Sequence, residues 1–289
     1  MIVVTGVAGE LARLTVGRLV ERLPAAEVVG TSRTPEKAAG LPIEVRAADF
    51  GDPASLVTAF DGADALLIVS LHPLPERSRL QANAIEAAVE AGVGHVVYTS
   101  FTRAGEPDNP VSVVPDHRLA EQALLRSGTA FTALRFNMWP EMLLLMGTAR
   151  RAVSSGKLLS NSGSGGVGYV TKDDSAAVAA AVLAQGSDKG ELLEVSGPAA
   201  VTDAELARIL TEVTGRTVGY EAASDEAVAA ALLADGLLEP MANALAANGV
   251  ARRDGWYGAT TRAVERLTGR EPTSLGAFLA RHRAALTTA

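Results

Sequence analysis

The sequence has no cysteine and is poor in aromatic residues, lysine and histidine, with 4% aromatics, four lysines and four histidines. Without cysteine the chain has no disulfide, no thiolate nucleophile and no cysteine-ligated metal or iron–sulfur cluster. The histidines are scattered at His72, His95, His117 and His282, and none has a histidine partner at the i+4 position. A metal site on a helix needs such spacing, so we expect no bound metal.

Positive charge is also in deficit, because 33 acidic residues outnumber 26 basic ones and give a net charge of -7. Proteins that bind nucleic acid cluster Lys and Arg against the phosphates, so we expect no nucleic-acid partner. No apolar run approaches the roughly 20 residues that span a bilayer, and no basic segment precedes the first strand-like run. We therefore expect a cytoplasmic protein with no membrane partner.

Six short apolar runs predict strands, and they lack the polar alternation of a half-exposed sheet. These runs are Ile2 to Thr5, Glu27 to Thr31, Ile43 to Ala47, Ala65 to Val69, His95 to Ser100 and Phe131 to Arg135. Two segments with helical spacing lie between them, Glu10 to Leu23 and Pro75 to Ala91, the second ended by Gly92. The alternation predicts an α/β fold of the Rossmann type, with a doubly wound parallel sheet.

The second half is less regular and contains a glycine-serine stretch from Ser160 to Gly168. We favour a mobile surface loop for this stretch, with a flap over a substrate as the alternative. The segment TKDDSAAVAAAVLAQG then predicts a helix capped near Asp173 or Asp174, and ELLEVSG predicts one more strand. In TDAELARILTEVTG, Thr202 and Glu205 predict a capping box, and helices dominate after it.

The stretch VVTGVAGELAR, Val3 to Arg13, places Gly6 and Gly9 directly after the first predicted strand. In a βαβ unit the first glycine permits the tight turn and the second lets the backbone approach a pyrophosphate at the next helix. Ala12 fits the third, small position, and we expect Glu10 to face solvent, away from the phosphates. The residues predicted to bind a dinucleotide here are Gly6, Val7, Ala8, Gly9, Glu10 and Leu11.

The end of the second predicted strand reads GTSRTPEKA, where an acidic residue would bind the ribose hydroxyls of NAD. This chain has Arg33 there, with Ser32 and Lys37 nearby, and a guanidinium can bind a 2′-phosphate through two hydrogen bonds. We therefore favour NADPH as the cofactor. The alternative is that Arg33 is an ordinary solvated arginine.

Two further pairs of residues follow predicted strands and complete the predicted cofactor contacts. Asp49 and Phe50 follow the third strand, where an adenine would lie, and Asp49 either accepts from its amine or caps the loop. Ser70 and Leu71 follow the fourth strand at the same edge of the sheet.

Several blocks of the sequence occur in the order of one known family. They are VVTGVAGELA, VVGTSRTPEKA, AADFGD, HVVYTSF, DHRLAEQALLRSG, LRFNMWPE and SGPAAVTDAELARILTEVTGRTVGY. The chain resembles the NmrA-like family of atypical short-chain dehydrogenase/reductases, most closely the NAD(P)H:quinone oxidoreductase type 2 subgroup. The turn of that family usually reads T-G-A-T-G-x-L-G, and Val7, Ala8 and Ala12 here replace its Ala, Thr and third Gly.

The resemblance implies a two-lobed NADPH reductase whose substrate, a quinone or similar aromatic small molecule, lies between the lobes. Residues 1–150 then form a Rossmann-type NADP(H)-binding domain. Residues 151–289 complete the sheet and form a smaller, mainly helical lobe that covers the substrate. A homodimer is left open.

Many short-chain reductases donate a proton through a tyrosine that is followed four residues later by a lysine, and this pair is absent. His117 and Glu121 stand in its place, as the resemblance suggests. A quinone suits this absence, because hydride addition gives a delocalised hydroquinone anion that needs little help from a strong acid. Positioning of the ring over the nicotinamide then supplies most of the rate.

Five residues near the ends of the fifth and sixth strands are candidates for chemistry or substrate binding. His117 is either a proton source or hydrogen-bond donor, or a structural helix residue. Ser100 is predicted to bind the nicotinamide ribose or carboxamide, and Asn137 to orient the nicotinamide. Trp139 either stacks on a flat substrate or belongs to the core between the lobes, and Phe101 is a further predicted substrate contact.

Our preferred hypothesis is therefore an NADPH-dependent oxidoreductase that transfers hydride to quinones or similar conjugated electrophiles. One alternative is a redox sensor or regulatory protein that binds NADP(H) without turnover. Another is a biosynthetic tailoring reductase that acts on a polycyclic aromatic substrate.

Overall fold

A seven-stranded parallel sheet lies at the centre of the computed structural model, which describes residues 1–72 and 75–287. The strands are β1 Ile2–Thr5, β2 Val28–Ser32, β3 Glu44–Ala47, β4 Ala65–Ile68, β5 His95–Phe101, β6 Ala130–Phe136, β7 Lys157–Ser160, β8 Gly166–Val167, β9 Gly190–Val195, β10 Val201–Thr202 and β11 Gly219–Ala222. The large sheet has the order β3-β2-β1-β4-β5-β6-β9, and all its pairs are parallel. The chain extends the sheet first to one side of β1 and then to the other, so the loops after β1 and β4 border a switch point where ligands bind.

Helices connect the strands and form most of the second half. They are α1 Glu10–Val20, α2 Pro53–Phe60, α3 Arg77–Glu90, α4 Val114–Ser127, α5 Glu141–Leu145, α6 Thr148–Ser155, α7 Lys172–Gln185, α8 Asp203–Thr214, α9 Asp225–Ala234, α10 Glu239–Arg253, α11 Ala263–Thr268, α12 Leu275–Arg281 and α13 Arg283–Thr287, with short 3-10 turns at Ala25–Glu27 and Pro35–Ala38. Within the described ranges, we find no helix with the length and apolar character needed to cross a membrane.

Both faces of the sheet are buried along β1, β2, β4, β5 and β6, which explains why these strands are apolar without alternation. On β1, Ile2 and Val4 belong to the core beneath α1 and α7, whereas Val3 belongs to the core beneath α2, α3 and α4. A third core lies in the C-terminal half and includes Leu206, Leu210 and Phe278. This arrangement confirms the predicted doubly wound sheet.

Six of the predicted strands agree with the structure to within one residue at each end, whereas the strand predicted from ELLEVSG ends two residues earlier than expected, at Val195. The first helix ends at Val20, three residues before the predicted Leu23, since Pro24 prevents continuation of the helix. The helix predicted from Pro75 begins at Arg77. The sequence analysis missed α2, although Asp52 at its N-cap and Pro53 at its first position are typical helix-start signals.

Two helix caps were predicted, and one of them was wrong. The N-cap of α7 is Thr171, whose hydroxyl accepts from the N–H of Asp174 at 3.1 Å, so neither Asp173 nor Asp174 is the cap. Thr171 is the cap because its hydroxyl reaches the N–H of the residue three positions later in the chain. The capping box of Thr202 and Glu205 is confirmed at the start of α8.

The glycine-serine stretch begins in a buried hydrogen-bond network, so the prediction of a surface loop is wrong for this part. Ser160, Asn161 and Ser162 are buried, and the two serine hydroxyls donate to Asp203 Oδ2 at 2.6 and 2.9 Å. Arg252 also donates to both carboxylate oxygens of Asp203. Small polar side chains fit here because they satisfy a buried carboxylate without adding bulk.

The turn after β1 is held against β2 by the packing of Val7 on Gly30. A Cβ atom at Gly30 would lie 2.8 Å from both methyl carbons of Val7, which is too close for any real contact. Val7 is fully buried, and its N–H donates to the carbonyl of Thr31 at 3.0 Å. The bare backbone of Gly30 therefore allows the turn to approach the sheet.

Replacing Gly30 by Ala should lower the free energy of unfolding by about 1–3 kcal/mol, because the branched Val7 side chain cannot swing away freely. The control is Gly40→Ala, since a Cβ at the exposed Gly40 meets nothing within 4 Å. Urea denaturation measures both. Adding Val7→Ala to the Gly30→Ala variant should recover part of the loss, and equal unfolding midpoints for the two glycine variants would contradict this packing.

Candidate functional site

The turn after β1 needs glycine at two positions. Gly6 has φ +69°, a conformation that favours glycine, and its carbonyl accepts from the N–H of Gly9 at 2.8 Å. A Cβ at Gly9 would lie 3.3 Å from that same carbonyl oxygen. The two glycines therefore give a compact turn with exposed backbone, as predicted for a diphosphate-binding loop.

Helix α1 starts at this turn without a side-chain cap. Its N-cap is Gly9, whereas the N-caps of α7, α8, α9 and α12 are hydroxyl residues that bond the helix backbone. Across residues 1–72 and 75–287, no acceptor bonds the N–H groups of Ala8, Glu10 or Leu11. Free N–H groups and the helix dipole favour an anion at this end, so the turn fits a diphosphate.

The carboxylate of Glu10 is directed away from the turn by an ion pair. Its side chain is 59% exposed and pairs with the ammonium of Lys172, the first residue of α7. This confirms that Glu10 faces solvent. The ion pair also offsets a negative charge that would otherwise repel phosphate groups.

A group of basic residues lies at the end of β2 beside the turn. Arg33 and Lys37 are exposed, and among the described residues neither charged group has a hydrogen-bond or ion-pair partner. Arg13 on α1 donates to the carbonyl of Lys37 and brings a third positive charge to this edge. Sequence analysis missed Arg13, although its position one turn after Gly9 was a usable signal. Ser32 is buried, and its hydroxyl accepts from the N–H of Thr34.

The residues after β3 form a local cap. Asp49 Oδ1 accepts from the N–H of Gly51 at 2.8 Å, which is the loop-cap arrangement that the sequence left open. Phe50 is half-buried against the core beneath α2 and α3, and its carbonyl accepts from Asn83. A contact of Asp49 or Phe50 with adenine stays a prediction.

The loop after β4 is fixed by side chains from other elements. The N–H of Ser70 donates to Thr99 Oγ1 at 2.8 Å, and the Ser70 hydroxyl accepts from the same threonine. Leu71 donates its N–H to Gln81 Oε1 and accepts from Arg77 Nε through its carbonyl. Both predicted cofactor residues therefore have an ordered backbone at the switch point.

His117 is buried in α4 with both ring nitrogens bonded. Nε2 lies 2.8 Å from Arg77 Nη2, and Nδ1 lies 3.0 Å from the hydroxyl of Tyr98. Because a guanidinium can only donate, Nε2 accepts and Nδ1 carries the single proton of a neutral ring. Burial, with the charge of Arg77 as the second cause, holds the pKa of His117 well below its usual value. This geometry favours the structural alternative, and a role of His117 as proton source stays a prediction.

Ser100 and Glu121 belong to a buried ion pair. The Ser100 hydroxyl donates to Glu121 Oε1 at 2.6 Å, and Arg135 binds both oxygens of Glu121 at 2.9 and 2.7 Å. The bond to Glu121 raises the pKa of Arg135. The hydroxyl proton of Ser100 is therefore engaged, and a contact of Ser100 with the nicotinamide ribose or carboxamide stays a prediction. Arg135 lies beside Ser100 on the neighbouring strand β6. Its ion pair with Glu121 was not predicted from the sequence.

The side chain of Asn137 joins the sheet to the C-terminal half. Its amide nitrogen donates to the carbonyls of Tyr257 and Ala259 at 2.9 and 3.2 Å, and its oxygen accepts from the N–H of Met138. The residue is only 2% exposed. The donors of this amide are engaged within the protein, and its role in orienting a nicotinamide stays a prediction.

The two predicted aromatic substrate contacts differ in their surroundings. The indole of Trp139 donates to the Ser175 hydroxyl at 3.1 Å and packs against the sheet core, which supports the core alternative. Phe101 is half-buried, stacks on His117 with ring centroids 6.0 Å apart, and meets Tyr257 edge-on. Phe101 thus lies where the sheet edge meets the C-terminal half, and its substrate role stays a prediction.

Two charged residues at this edge were missed by the sequence analysis. Glu141 follows β6, accepts from the N–H of Lys172 at 2.9 Å, and has a second oxygen that is buried without a partner in the described ranges. Burial raises the pKa of Glu141. Arg103 follows β5 with φ +54°, pairs with Glu106, and lies 4.4 Å from the ring of Trp256 in the C-terminal half.

Comparison with known proteins identifies the family of this chain. A family model for NAD(P)H-binding proteins matches residues 6–186, which begin at the first glycine of the turn. The chain is 33% identical to quinone oxidoreductase 2 of Escherichia coli over 278 residues, covering 95% of this chain and 96% of the relative.

Solved structures agree as well. The NADPH complex of the E. coli quinone oxidoreductase QOR2 matches with 33% identity and a TM-score of 0.90, covering 98% of this chain and 99% of that one. The NADP(H) complex of a Citrobacter sp. triphenylmethane reductase matches with 30% identity and a TM-score of 0.90, covering 98% and 100%. The chain therefore belongs to the NAD(P)H-binding family, within the NmrA-like group of reductases that includes quinone oxidoreductase 2.

Proposed function

We propose that this protein is an NADPH-dependent oxidoreductase that transfers hydride to a quinone or a similar conjugated, aromatic electrophile. The observation that carries the proposal is the uncapped start of α1 beside the basic residues of the β2 edge. The relatives named above are reductases, and two of their structures hold reduced or oxidised forms of the same dinucleotide.

The residues at the switch point suit the parts of NADPH. The backbone from Gly6 to Leu11 offers N–H groups for the diphosphate. Arg33 offers a planar fork for the 2′-phosphate, and Arg13 and Lys37 add positive charge nearby. Bound NADPH supplies the hydride, and the protein contributes binding, orientation and exclusion of water.

The absence of the tyrosine–lysine acid pair favours one class of substrate. Burial raises the pKa of Tyr98, whose hydroxyl bonds His117, and Glu121 is neutralised by Arg135. Reduction of an ordinary ketone needs a proton donor of matched pKa to meet the developing alkoxide. A quinone or extended aromatic spreads the added charge over its own ring, so orientation alone suffices for most of the rate.

One observation favours a second candidate, a redox sensor that binds NADP(H) without turnover. The polar groups of His117, Ser100 and Asn137 are all engaged inside the protein. A binding protein has no need of a free acid or base, so this arrangement also suits a sensor.

Purified protein mixed with NADPH and a panel of benzoquinones and naphthoquinones should consume NADPH, which is followed by its absorbance. Gly6→Val should abolish this activity, because a branched side chain cannot adopt φ +69° and the turn would be lost. Gly17→Ala, also in the first βα unit, should leave it intact, since a Cβ there meets nothing within 4 Å. Tight NADPH binding without any turnover across the panel would favour the sensor.

Replacing Arg33 by Ala should raise the Kd for NADPH about tenfold or more and leave that for NADH nearly unchanged, because only NADPH has the 2′-phosphate. The matched control is Arg22→Ala. Arg22 is exposed just beyond the C-terminal end of α1, away from the turn, and its guanidinium has no partner in the described chain. Calorimetric titration measures both constants. An unchanged ratio of the two affinities would mean that Arg33 is an ordinary solvated arginine.

A further inference from the structure

The backbone of Leu71, in the loop after β4, is held on both sides by buried side chains of α3. Arg77 Nε donates to the Leu71 carbonyl at 2.7 Å, and the Leu71 N–H donates to Gln81 Oε1 at 3.3 Å. Arg77 is 2% exposed and Gln81 is fully buried. Side chains that fix both polar groups of one loop residue determine where that loop lies.

Arg77 also reaches the segment that leads into α4. Its Nη1 lies 3.3 Å from the carbonyl of Val113 and 3.3 Å from Asp116 Oδ2, and its Nη2 lies 2.8 Å from His117 Nε2. The guanidinium therefore joins the loop after β4 to the start of α4, which follows the loop after β5. A lysine has one ammonium group and cannot reach acceptors in these separate directions.

The contact with His117 requires the neutral form of that ring. A protonated imidazole would place a second positive charge beside the buried guanidinium and would lose the acceptor at Nε2. The hydroxyl of Tyr98 on β5 fixes the other ring nitrogen at 3.0 Å. A chain of contacts thus runs from Tyr98 through His117 and Arg77 to Leu71.

This chain ends at the switch point of the sheet. Leu71 lies three residues beyond the end of β4 at Ile68, and β4 is paired with β1, which leads into the glycine turn. In doubly wound sheets these two loops border the ligand. A shift of Leu71 would therefore be felt by a dinucleotide bound at this switch point.

We propose that Arg77 is a positioning residue for the cofactor: together with Gln81 it fixes the Leu71 backbone against the dinucleotide, and His117 serves as its neutral acceptor and not as an acid. The inference rests on the proposed use of NADPH. It adds a specific role for three buried residues that do not themselves touch the ligand.

The first test compares Arg77→Met and Arg77→Lys with the unmodified protein. Both variants should raise the Kd and the KM for NADPH about tenfold, with kcat at saturating NADPH changed by less than about threefold. The control is Arg79→Met, since Arg79 lies on the same helix, is 56% exposed and, within the described residues, forms its one ion pair with Glu76. That control should leave Kd, KM and kcat unchanged.

Gln81→Met provides an independent variant if the loss of Arg77 prevents folding, which thermal denaturation and circular dichroism would show. It removes the acceptor of the Leu71 N–H and should raise the Kd for NADPH in the same way. Because both side chains act through Leu71, the double variant should lose less affinity than the two single losses combined.

Two substitutions of His117 separate positioning from acid catalysis. His117→Gln keeps an acceptor for Arg77, so its KM, its kcat and the pH profile of kcat should stay near those of the unmodified protein. His117→Leu removes the acceptor and should raise the KM for NADPH while kcat is kept. A collapse of kcat in both variants, with KM unchanged, would identify His117 as an acid and overturn the inference.

The outcomes also separate this inference from the proposed function. If the unmodified protein binds and oxidises NADPH but the Arg77 and Gln81 variants bind it equally well, the inference is wrong and the proposed function stands. If the unmodified protein does not bind NADPH, the proposed function fails, and the inference fails with it.

Discussion

The structure depends on a short turn whose backbone donors find no acceptor within the described protein. After β1 the chain turns at Gly6 and enters α1 at Gly9 without a side-chain cap. Unsatisfied N–H groups at a helix start favour an anion, and the packing of Val7 against Gly30 keeps the turn from relaxing into another conformation. The unpaired N–H groups of this turn are unfavourable without a ligand, and the same groups can bind an anion. The order of the strands places the turn at the centre of the sheet edge.

Farther along the same edge, three buried polar side chains have hydrogen-bond partners within the protein, unlike the N–H groups of the turn. Ser100 bonds Glu121, Asn137 bonds the C-terminal half, and His117 bonds both Arg77 and Tyr98. Buried polar groups with all partners in place are rigid, and in a low dielectric they give up protons reluctantly. The unpaired groups that can bind an anion thus lie at the turn after β1. The side chains of Ser100, Asn137 and His117 are held in place by partners within the protein.

The sequence predicted the sheet and the turn well because both depend on local patterns. Apolar runs bounded by polar residues define the strands, and the spacing of Gly6 and Gly9 requires only the neighbouring strand and helix. The roles of His117 and Asn137 depended on partners 40 and 120 residues away, Arg77 and the Tyr257 carbonyl, which no local pattern reveals. Arg77 itself lies in a polar stretch, PERSRLQ, that is typical of an exposed helix start.

The same frame limits the chemistry that the site can support. Tyr98 is buried, no lysine lies four residues beyond it, and Glu121 is ion-paired with Arg135. A substrate that develops localised negative charge on an oxygen would therefore find no tyrosine–lysine donor here, which raises its barrier. A substrate that spreads the charge over an aromatic system lowers that barrier by itself. Under the proposed function, the proton demand of a substrate therefore contributes to its selection alongside its shape.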